Sequence, residues 1–177
     1  VASSVRDAMA ELPADEPYRV LFSAHGLPKK IVAAGDPYQW QVEQSTRAVV
    51  EAIGQEMDWV NCYQSRVGPL EWIGPSTEDE ITRAGKDGKS IVLVPIAFVS
   101  EHSETLVELD IEYREVADHA GVKNYLRTPT VGVTPAFIEG LARLVRGNVE
   151  NNCNICSANG GRICGAEWSK CPVRITA

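Results

Sequence analysis

Patterns typical of buried strands alternate four times with helical patterns along this chain, and this alternation constrains the fold more than any other feature. The most apolar run, residues 90–98, has few polar positions, as expected for a strand buried on both faces. Strands of that kind occur in parallel sheets that helices cover on both sides. Because the predicted connections are short, the sequence favours an α/β domain of three layers with a four-stranded parallel sheet.

The boundaries of the predicted elements follow proline, glycine and capping residues. We expect strands at residues 18–25, 58–64, 90–98 and 124–127. We expect helices at residues 2–12, 37–53, 102–120 and 134–147, and a further helix between Ser76 and the turn at residues 86–89. Composition shifts to Asn, Gly and Cys from Asn148 onward. Residues 1–147 are therefore predicted to form the α/β domain, and residues 148–177 a separate Cys-rich tail.

Charge and composition exclude two classes of protein. A net charge of −7 leaves no means of neutralising phosphates, so we expect no nucleic-acid partner. No stretch approaches the roughly 20 apolar residues of a membrane-spanning helix. The first residues lack both a basic start and an apolar run, so they do not resemble a signal peptide. We expect a cytoplasmic protein, with any membrane contact peripheral; since the chain does not begin with Met, we also expect a fragment or a processed product.

A histidine ends the first predicted strand, at the edge of the sheet where such folds bind ligands. This residue, His25, is followed by Gly26-Leu27-Pro28, which breaks the strand. The usual pKa of a histidine, about 6.5, suits proton exchange near neutral pH. A satisfied polar residue at a strand end is the alternative, and position alone does not separate the two.

A stripe of carboxylates follows the third predicted strand. At about 100° per residue, five of them fall within an arc of about 80°: Glu101, Glu104, Glu108, Glu112 and Glu115. Carboxylate oxygens and imidazole together bind divalent ions or relay protons, so the three nearest the sheet are candidates for such a role. An ordinary solvated acidic face is favoured for Glu112 and Glu115. His102 falls about 100° from Glu101 and packs inward, unless a bulge changes the helical register.

A loop after the second strand carries an aromatic and a basic residue at the same edge. Trp72 suits stacking on a flat aromatic ligand, although a tryptophan that fills the core is the generic alternative. Arg66 suits pairing with a carboxylate, either of a ligand or of a neighbouring Asp or Glu. These two residues are candidates for substrate binding.

Three blocks of sequence, in this order, resemble the ferrochelatase family. They are LFSAHGLP at 21–28 with GDPY at 35–38, QSRVGP at 64–69 with Trp72, and VPIAF at 94–98 running into residues 100–113. The resemblance covers residues 18–147, and three ordered blocks at compatible spacing form a highly specific signal.

The resemblance implies the carboxy-terminal half of a bacterial-type ferrochelatase. That family's fold has two similar α/β domains, of the type also found in flavodoxin and periplasmic binding proteins, with a porphyrin in the cleft between them. The implied activity is insertion of Fe²⁺, a substrate, into the porphyrin to form haem. The implied partners are the porphyrin and a missing amino-terminal domain, without which we expect little or no activity. The alternatives are a chelatase for another tetrapyrrole, such as a cobalt-inserting enzyme, and a non-catalytic iron–sulfur or metal-sensing module.

The resemblance also implies roles for single residues. His25 matches the active-site histidine that takes pyrrole protons or binds metal, and Glu104 matches the essential glutamate opposite it. Trp72 and Phe98 match residues that line the porphyrin pocket. The family's acidic helix, proposed as a route for metal or protons, is matched by His102, Glu108, Asp110 and Glu112, and Glu101 stands where several relatives carry Asp.

The tail contains four cysteines, Cys153, Cys156, Cys164 and Cys171. Four thiolates serve iron–sulfur clusters and structural zinc alike. The resemblance implies a 2Fe–2S cluster, with zinc or no metal as the alternatives. The spacing departs from the animal-type pattern, in which three tail cysteines act with one from the amino-terminal half. Cys62, alone in mid-strand, is predicted to be a small buried residue.

Overall fold

Four parallel strands form the centre of the chain in a computed structural model that describes residues 1–151, 155 and 161–173. The strands are β1 (Tyr18–His25), β2 (Trp59–Gln64), β3 (Ser90–Pro95) and β4 (Tyr125–Arg127). Their order in the sheet is β2-β1-β3-β4, and every pair is parallel. The predicted α/β architecture is confirmed. Because all four strands run parallel, their carboxyl ends lie at one edge of the sheet.

Helices cover both faces of this sheet. They are α1 (Ala2–Ala10), α2 (Lys29–Ala33), α3 (Tyr38–Ile53), α4 (Thr77–Lys86), α5 (Ser103–Leu106), α6 (Tyr113–His119) and α7 (Pro135–Glu150). Because side chains alternate along a strand, Val20 and Phe22 of β1 pack under α1 and α3, whereas Leu21 packs under α4 and α6. Two apolar cores therefore lie on opposite faces of one sheet, which is the predicted three-layer arrangement.

Two predicted elements differ from those in the structure. The third strand ends at Pro95 instead of residue 98, because the chain turns at residues 96–97 and the Phe98 amide donates back to the Pro95 carbonyl. The continuous helix predicted over 102–120 is wrong. A turn of π-helix, Glu108–Glu112, separates α5 from α6, and the amide of Tyr113 donates to the carbonyl of Glu108, five residues back. This turn changes the register, so the predicted single stripe of carboxylates does not form.

The last helix presents an apolar face to solvent. In α7, no residue is buried, and the exposed fractions are 47% for Ile138, 43% for Leu141 and 63% for Val145. At about 100° per residue, these side chains share one side of the helix, with charged residues on the other. The helix runs three residues past the predicted domain boundary at residue 147, and that boundary stays a prediction. Among the described residues, no helix is both long and apolar enough to cross a membrane.

Part of the tail folds back onto the connection between α2 and α3. The amide of Lys170 donates to the carbonyl of Gly35 over 3.0 Å. A Cβ on Gly35, which has a φ of 94°, would lie 2.3 Å from the hydroxyl of Ser169. Glycine at position 35 therefore satisfies both the left-handed backbone and the close approach of the tail.

Candidate functional site

His25 lies where β1 leaves the sheet, and its side chain is exposed. Its Nδ1 lies 2.8 Å from the Gly26 carbonyl oxygen. Since a carbonyl only accepts hydrogen bonds, Nδ1 carries the proton and donates, which leaves the Nε2 lone pair available in the neutral ring. The Tyr38 hydroxyl donates to the His25 carbonyl over 3.0 Å and fixes the backbone here. The geometry gives His25 a free basic nitrogen at the edge of the sheet.

Gly26 lets β1, β2 and the following loop approach one another. Its amide donates to the carbonyl of Gln64 over 2.8 Å. A Cβ at this position would lie 2.9 Å from that carbonyl and 3.1 Å from both the Trp72 ring and the Arg66 side chain. Any larger residue would push these groups apart. The structure therefore brings two of the three predicted substrate-binding residues, Trp72 and Arg66, next to Gly26, the residue after His25.

At the start of α5, Glu104 pairs with His102, a contact that the sequence analysis did not predict. The Nδ1–H of His102 donates to Oε2 of Glu104, and the Ser103 hydroxyl donates to the same oxygen over 2.7 Å. These hydrogen bonds, from Ser103 and then His102, lower the pKa of the Glu104 carboxyl to about 2. The rings of His102 and Phe98 lie 5.1 Å apart between centroids. Glu104 is therefore a carboxylate at neutral pH, with its side chain 39% exposed.

Gln64 connects the two halves of the site. It pairs with His25 in the β1–β2 register. Its side-chain amide donates to the Glu104 carbonyl over 2.8 Å, while its Oε1 accepts from the Ser23 hydroxyl over 2.9 Å. One buried glutamine thus links the strand that carries His25 to the helix that carries Glu104.

Glu108 is bound to β2 by hydrogen bonds to both carboxylate oxygens. Its Oε1 accepts from the Ser65 amide over 2.6 Å and from the Tyr113 hydroxyl over 2.8 Å. Its Oε2 accepts from Gln64 over 2.9 Å and from the Ser65 hydroxyl. Ser65 has a φ of 57°, a left-handed conformation that costs a non-glycine residue about 1–2 kcal/mol. Because a carboxylate has about four acceptor sites, binding a metal here would require exchange of these bonds.

Glu101 precedes α5, and its partners, Arg127 and Thr130, differ from those of Glu104. Its carboxylate accepts from the Arg127 guanidinium over 2.9 and 3.1 Å, and from the Thr130 amide over 2.9 Å. Arg127 also holds Asp110 with two hydrogen bonds of 2.6 and 2.7 Å. Burial tends to raise the pKa of Glu101, but these donors outweigh it and the pKa is lowered. One arginine therefore pairs with both acidic residues and offsets one of their two negative charges.

A cleft of about 510 Å³ opens between the loop after β2, the start of α4 and the π-helical turn. Its lining includes Arg66, Trp72, Glu108 and Glu112. Glu112 is exposed. His25 and Glu104 are not among the lining residues, so the cleft does not enclose them.

The tail cysteines are described in part. Cys164 is buried, and its thiol forms a hydrogen bond with that of Cys171. The Arg162 guanidinium donates to the carbonyls of Cys164, Gly165 and Trp168, which organises this turn. The other two predicted ligands, Cys153 and Cys156, lie outside the described residues. Within the described part of the chain, no group of three or more His, Cys, Asp or Glu side chains is placed to hold a metal ion.

Comparison with known proteins identifies the family. The sequence model of the Ferrochelatase family matches residues 1–149. The chain belongs to the ferrochelatase family. It is 52% identical over 173 residues to the ferrochelatase of Caulobacter vibrioides, which covers 98% of the chain and 50% of that protein.

Other ferrochelatases show the same pattern of coverage. The Pelagibacter ubique protein is 61% identical over 129 residues, or 72% of the chain and 38% of that protein. The Rickettsia bellii protein is 53% identical over 161 residues, which are 89% of the chain and 45% of that protein. The chain thus spans about half the length of the curated relatives that it matches.

Sequence reasoning missed the residues that position the candidate site. Gln64 and Ser65 lie within a motif that carried the family resemblance, but they had no assigned role. A polar residue at the end of a buried strand was the available signal for Gln64. Nothing local indicated that Arg127 would contact the acidic helix, since its partners Asp110 and Glu101 lie 17 and 26 positions away.

Proposed function

We propose that this chain is the carboxy-terminal half of a ferrochelatase and supplies the base and the cation-binding carboxylate for insertion of Fe²⁺ into a porphyrin, forming haem. The observation that carries the proposal is the joint placement of His25, with Nε2 free, and Glu104, ionised, on either side of Gln64. Membership of the ferrochelatase family supports the same activity. Haem formation requires that two pyrrole N–H protons leave as one Fe²⁺ enters the ring.

The two groups suit different parts of that exchange. A general base works best when its pKa lies near the working pH. Nε2 of the neutral His25 ring offers a lone pair at the edge of the sheet, and the proposal has it accept a pyrrole proton. Glu104, with a pKa of about 2, is a poor base at neutral pH but keeps the negative charge that attracts a divalent cation. The proposal therefore assigns proton transfer to His25 and cation binding to Glu104.

The remaining predicted site residues take supporting roles in this proposal. Trp72 stacks on the macrocycle, and Arg66 pairs with a carboxylate of the porphyrin. Phe98 packs against His102 at the edge of the pocket. The proposed route for the metal passes His102 and the acidic residues Glu101, Glu108 and Glu112.

The missing half of the enzyme is the proposed partner. The relatives are about twice as long as this chain. The exposed apolar face of α7, with Ile138 and Leu141, supports a contact with further polypeptide. Without a second wall for the porphyrin, the isolated chain is expected to have little activity.

Metalation of a free-base porphyrin with Fe²⁺ under anaerobic conditions tests the function. The chain is joined to its native amino-terminal half, and the His25→Ala and Glu104→Ala variants are assayed in the same protein. The proposal expects iron insertion by the parent and loss of at least about 100-fold in both variants, with porphyrin binding retained. A parent that inserts cobalt and not iron supports the alternative chelatase. A parent that is inert with every metal, despite binding porphyrin, contradicts the proposal.

We also propose that the tail cysteines bind a 2Fe–2S cluster. The contact between the Cys164 and Cys171 thiols fits half of a four-cysteine site. Visible absorption and iron and sulfide analysis of the purified protein test this. Loss of the cluster in Cys164→Ser is the expected result, while bound zinc or metal-free protein contradicts the cluster assignment.

A further inference from the structure

One guanidinium holds both ends of the segment that carries the site. Arg127, at the end of β4, donates two hydrogen bonds to Asp110 from Nε and Nη2, while its Nη1 donates to the Glu101 carboxylate and lies within 3.1 Å of both of its oxygens. Residues 101–110 include His102 and Glu104 in between. The Arg127 side chain is only 12% exposed. A planar guanidinium with five donors fits two carboxylates in a fixed geometry, which an ammonium group does not reproduce.

The segment has little intrinsic stability of its own. Its helix α5 contains four residues, too few for a helix that is stable in isolation. Leu106 and Val107 are 49% and 45% exposed, so they contribute little packing. Thr105 and Leu109 are fully buried and hold the middle of the segment. The two ends depend on polar contacts, and Arg127 provides most of them.

A second contact fixes the first end to the loop that follows β4. The Thr130 amide, three residues after Arg127, donates to Glu101 over 2.9 Å. Glu101 is adjacent in sequence to His102, whose own amide donates to the Thr105 hydroxyl over 2.9 Å. Displacement of Glu101 therefore moves the residue that donates to Glu104. The connection runs from β4 through Glu101 to the histidine–glutamate pair.

We propose that Arg127 is a positioning residue that sets the location of the His102–Glu104 pair by clamping Glu101 and Asp110 to the end of β4. It does not touch the reacting atoms. It acts by keeping a short, exposed segment in one geometry, and small displacements of catalytic groups slow reactions strongly. The kinetic part of this proposal rests on the proposed ferrochelatase activity, whereas the structural part does not.

Two variants of the rejoined enzyme separate clamping from charge. Arg127→Lys keeps the positive charge but loses the planar set of five donors, and Arg127→Met loses both the charge and the donors. Arg83→Lys is the matched control, because Arg83 pairs with Glu80 on α4, away from the segment. Two readouts are measured: kcat and KM for porphyrin with Fe²⁺, and amide hydrogen exchange in residues 101–106, followed by mass spectrometry. The exchange readout gives an answer even if the parent inserts no iron.

The expected result for both Arg127 variants is a kcat lowered by about 10- to 100-fold, with KM for porphyrin changed less than about threefold. Exchange in residues 101–106 becomes at least about tenfold faster, while β1 and β3 keep their protection. Arg83→Lys leaves both readouts unchanged. Unchanged exchange in residues 101–106 overturns the proposal, as does a kcat of Arg127→Lys within twofold of an active parent. A uniform loss of protection across the sheet also overturns it, because Arg127 would then act on global stability.

Discussion

Replacing Glu108 with glutamine is expected to destabilise the domain far more than the same change at Glu112. Glu108 accepts four hydrogen bonds from Gln64, Ser65 and Tyr113. In Glu108→Gln, one oxygen becomes an NH₂ group that faces two donors. Two lost bonds at about 1–1.5 kcal/mol each give a destabilisation of about 2–3 kcal/mol. For a domain of this size the melting temperature should fall by roughly 4–12 °C.

Urea unfolding of the chain, followed by circular dichroism, measures this difference. Glu112→Gln is the matched control, since Glu112 lies on the same π-helical turn and is exposed. Its free energy of unfolding should stay within about 0.5 kcal/mol of the parent. Equal unfolding midpoints for the two variants would show that the carboxylate of Glu108 does not anchor the acidic helix to β2, and the reasoning would fail.

Three further predictions concern stability, thiol reactivity and ionisation. Gly26→Ala should destabilise the chain by about 1–3 kcal/mol in thermal unfolding, because the new Cβ would lie 2.9 Å from the Gln64 carbonyl. Gly140→Ala, at an open position of α7, is the control and should not destabilise the chain. Equal melting temperatures for the two variants would refute this reasoning. In metal-free protein at pH 7.5, iodoacetamide should modify Cys171 well before Cys62. The hydrogen bond with Cys164 lowers the pKa of Cys171, whereas burial raises the pKa of Cys62 to about 12. Peptide mass spectrometry that finds Cys62 modified first would contradict this prediction. A ¹³C NMR titration should place the pKa of Glu104 near 2. The stabilising contacts of its carboxylate then persist as the pH falls below the usual pKa of 4.5 and are lost only near pH 2. A titration midpoint near 4.5 would show that these contacts do not form.

The parts of the fold that the sequence predicts well are those determined by local patterns. The apolar run that forms β1 ends at His25 because Gly26 and the proline after it break the strand, so both the strand and the edge position of the histidine were predictable. The same holds for α3, which ends at Gly54 in a left-handed conformation. Parallel pairing then followed from the length of the connections.

The parts that failed depend on contacts between distant residues. Regular helical geometry assumed one continuous helix over 102–120, but the bonds from β2 to Glu108 cross 43 and 44 positions of sequence and accompany a π-helical turn. The predicted stripe of carboxylates was lost for the same reason. Arg127 and its two acidic partners lie 17 and 26 positions apart, so no local pattern indicated the clamp.

The most direct test of this account is the dependence of the metalation rate on Fe²⁺ concentration in the rejoined enzyme, at saturating porphyrin. If Glu104 binds the cation and His25 takes the proton, Glu104→Gln should raise KM for Fe²⁺ by at least about tenfold, and excess Fe²⁺ should restore much of the rate. His25→Ala should lower kcat by at least about 100-fold at every Fe²⁺ concentration. If excess Fe²⁺ rescues His25→Ala instead, or if neither variant differs from the parent, the proposed division between base and cation site is wrong.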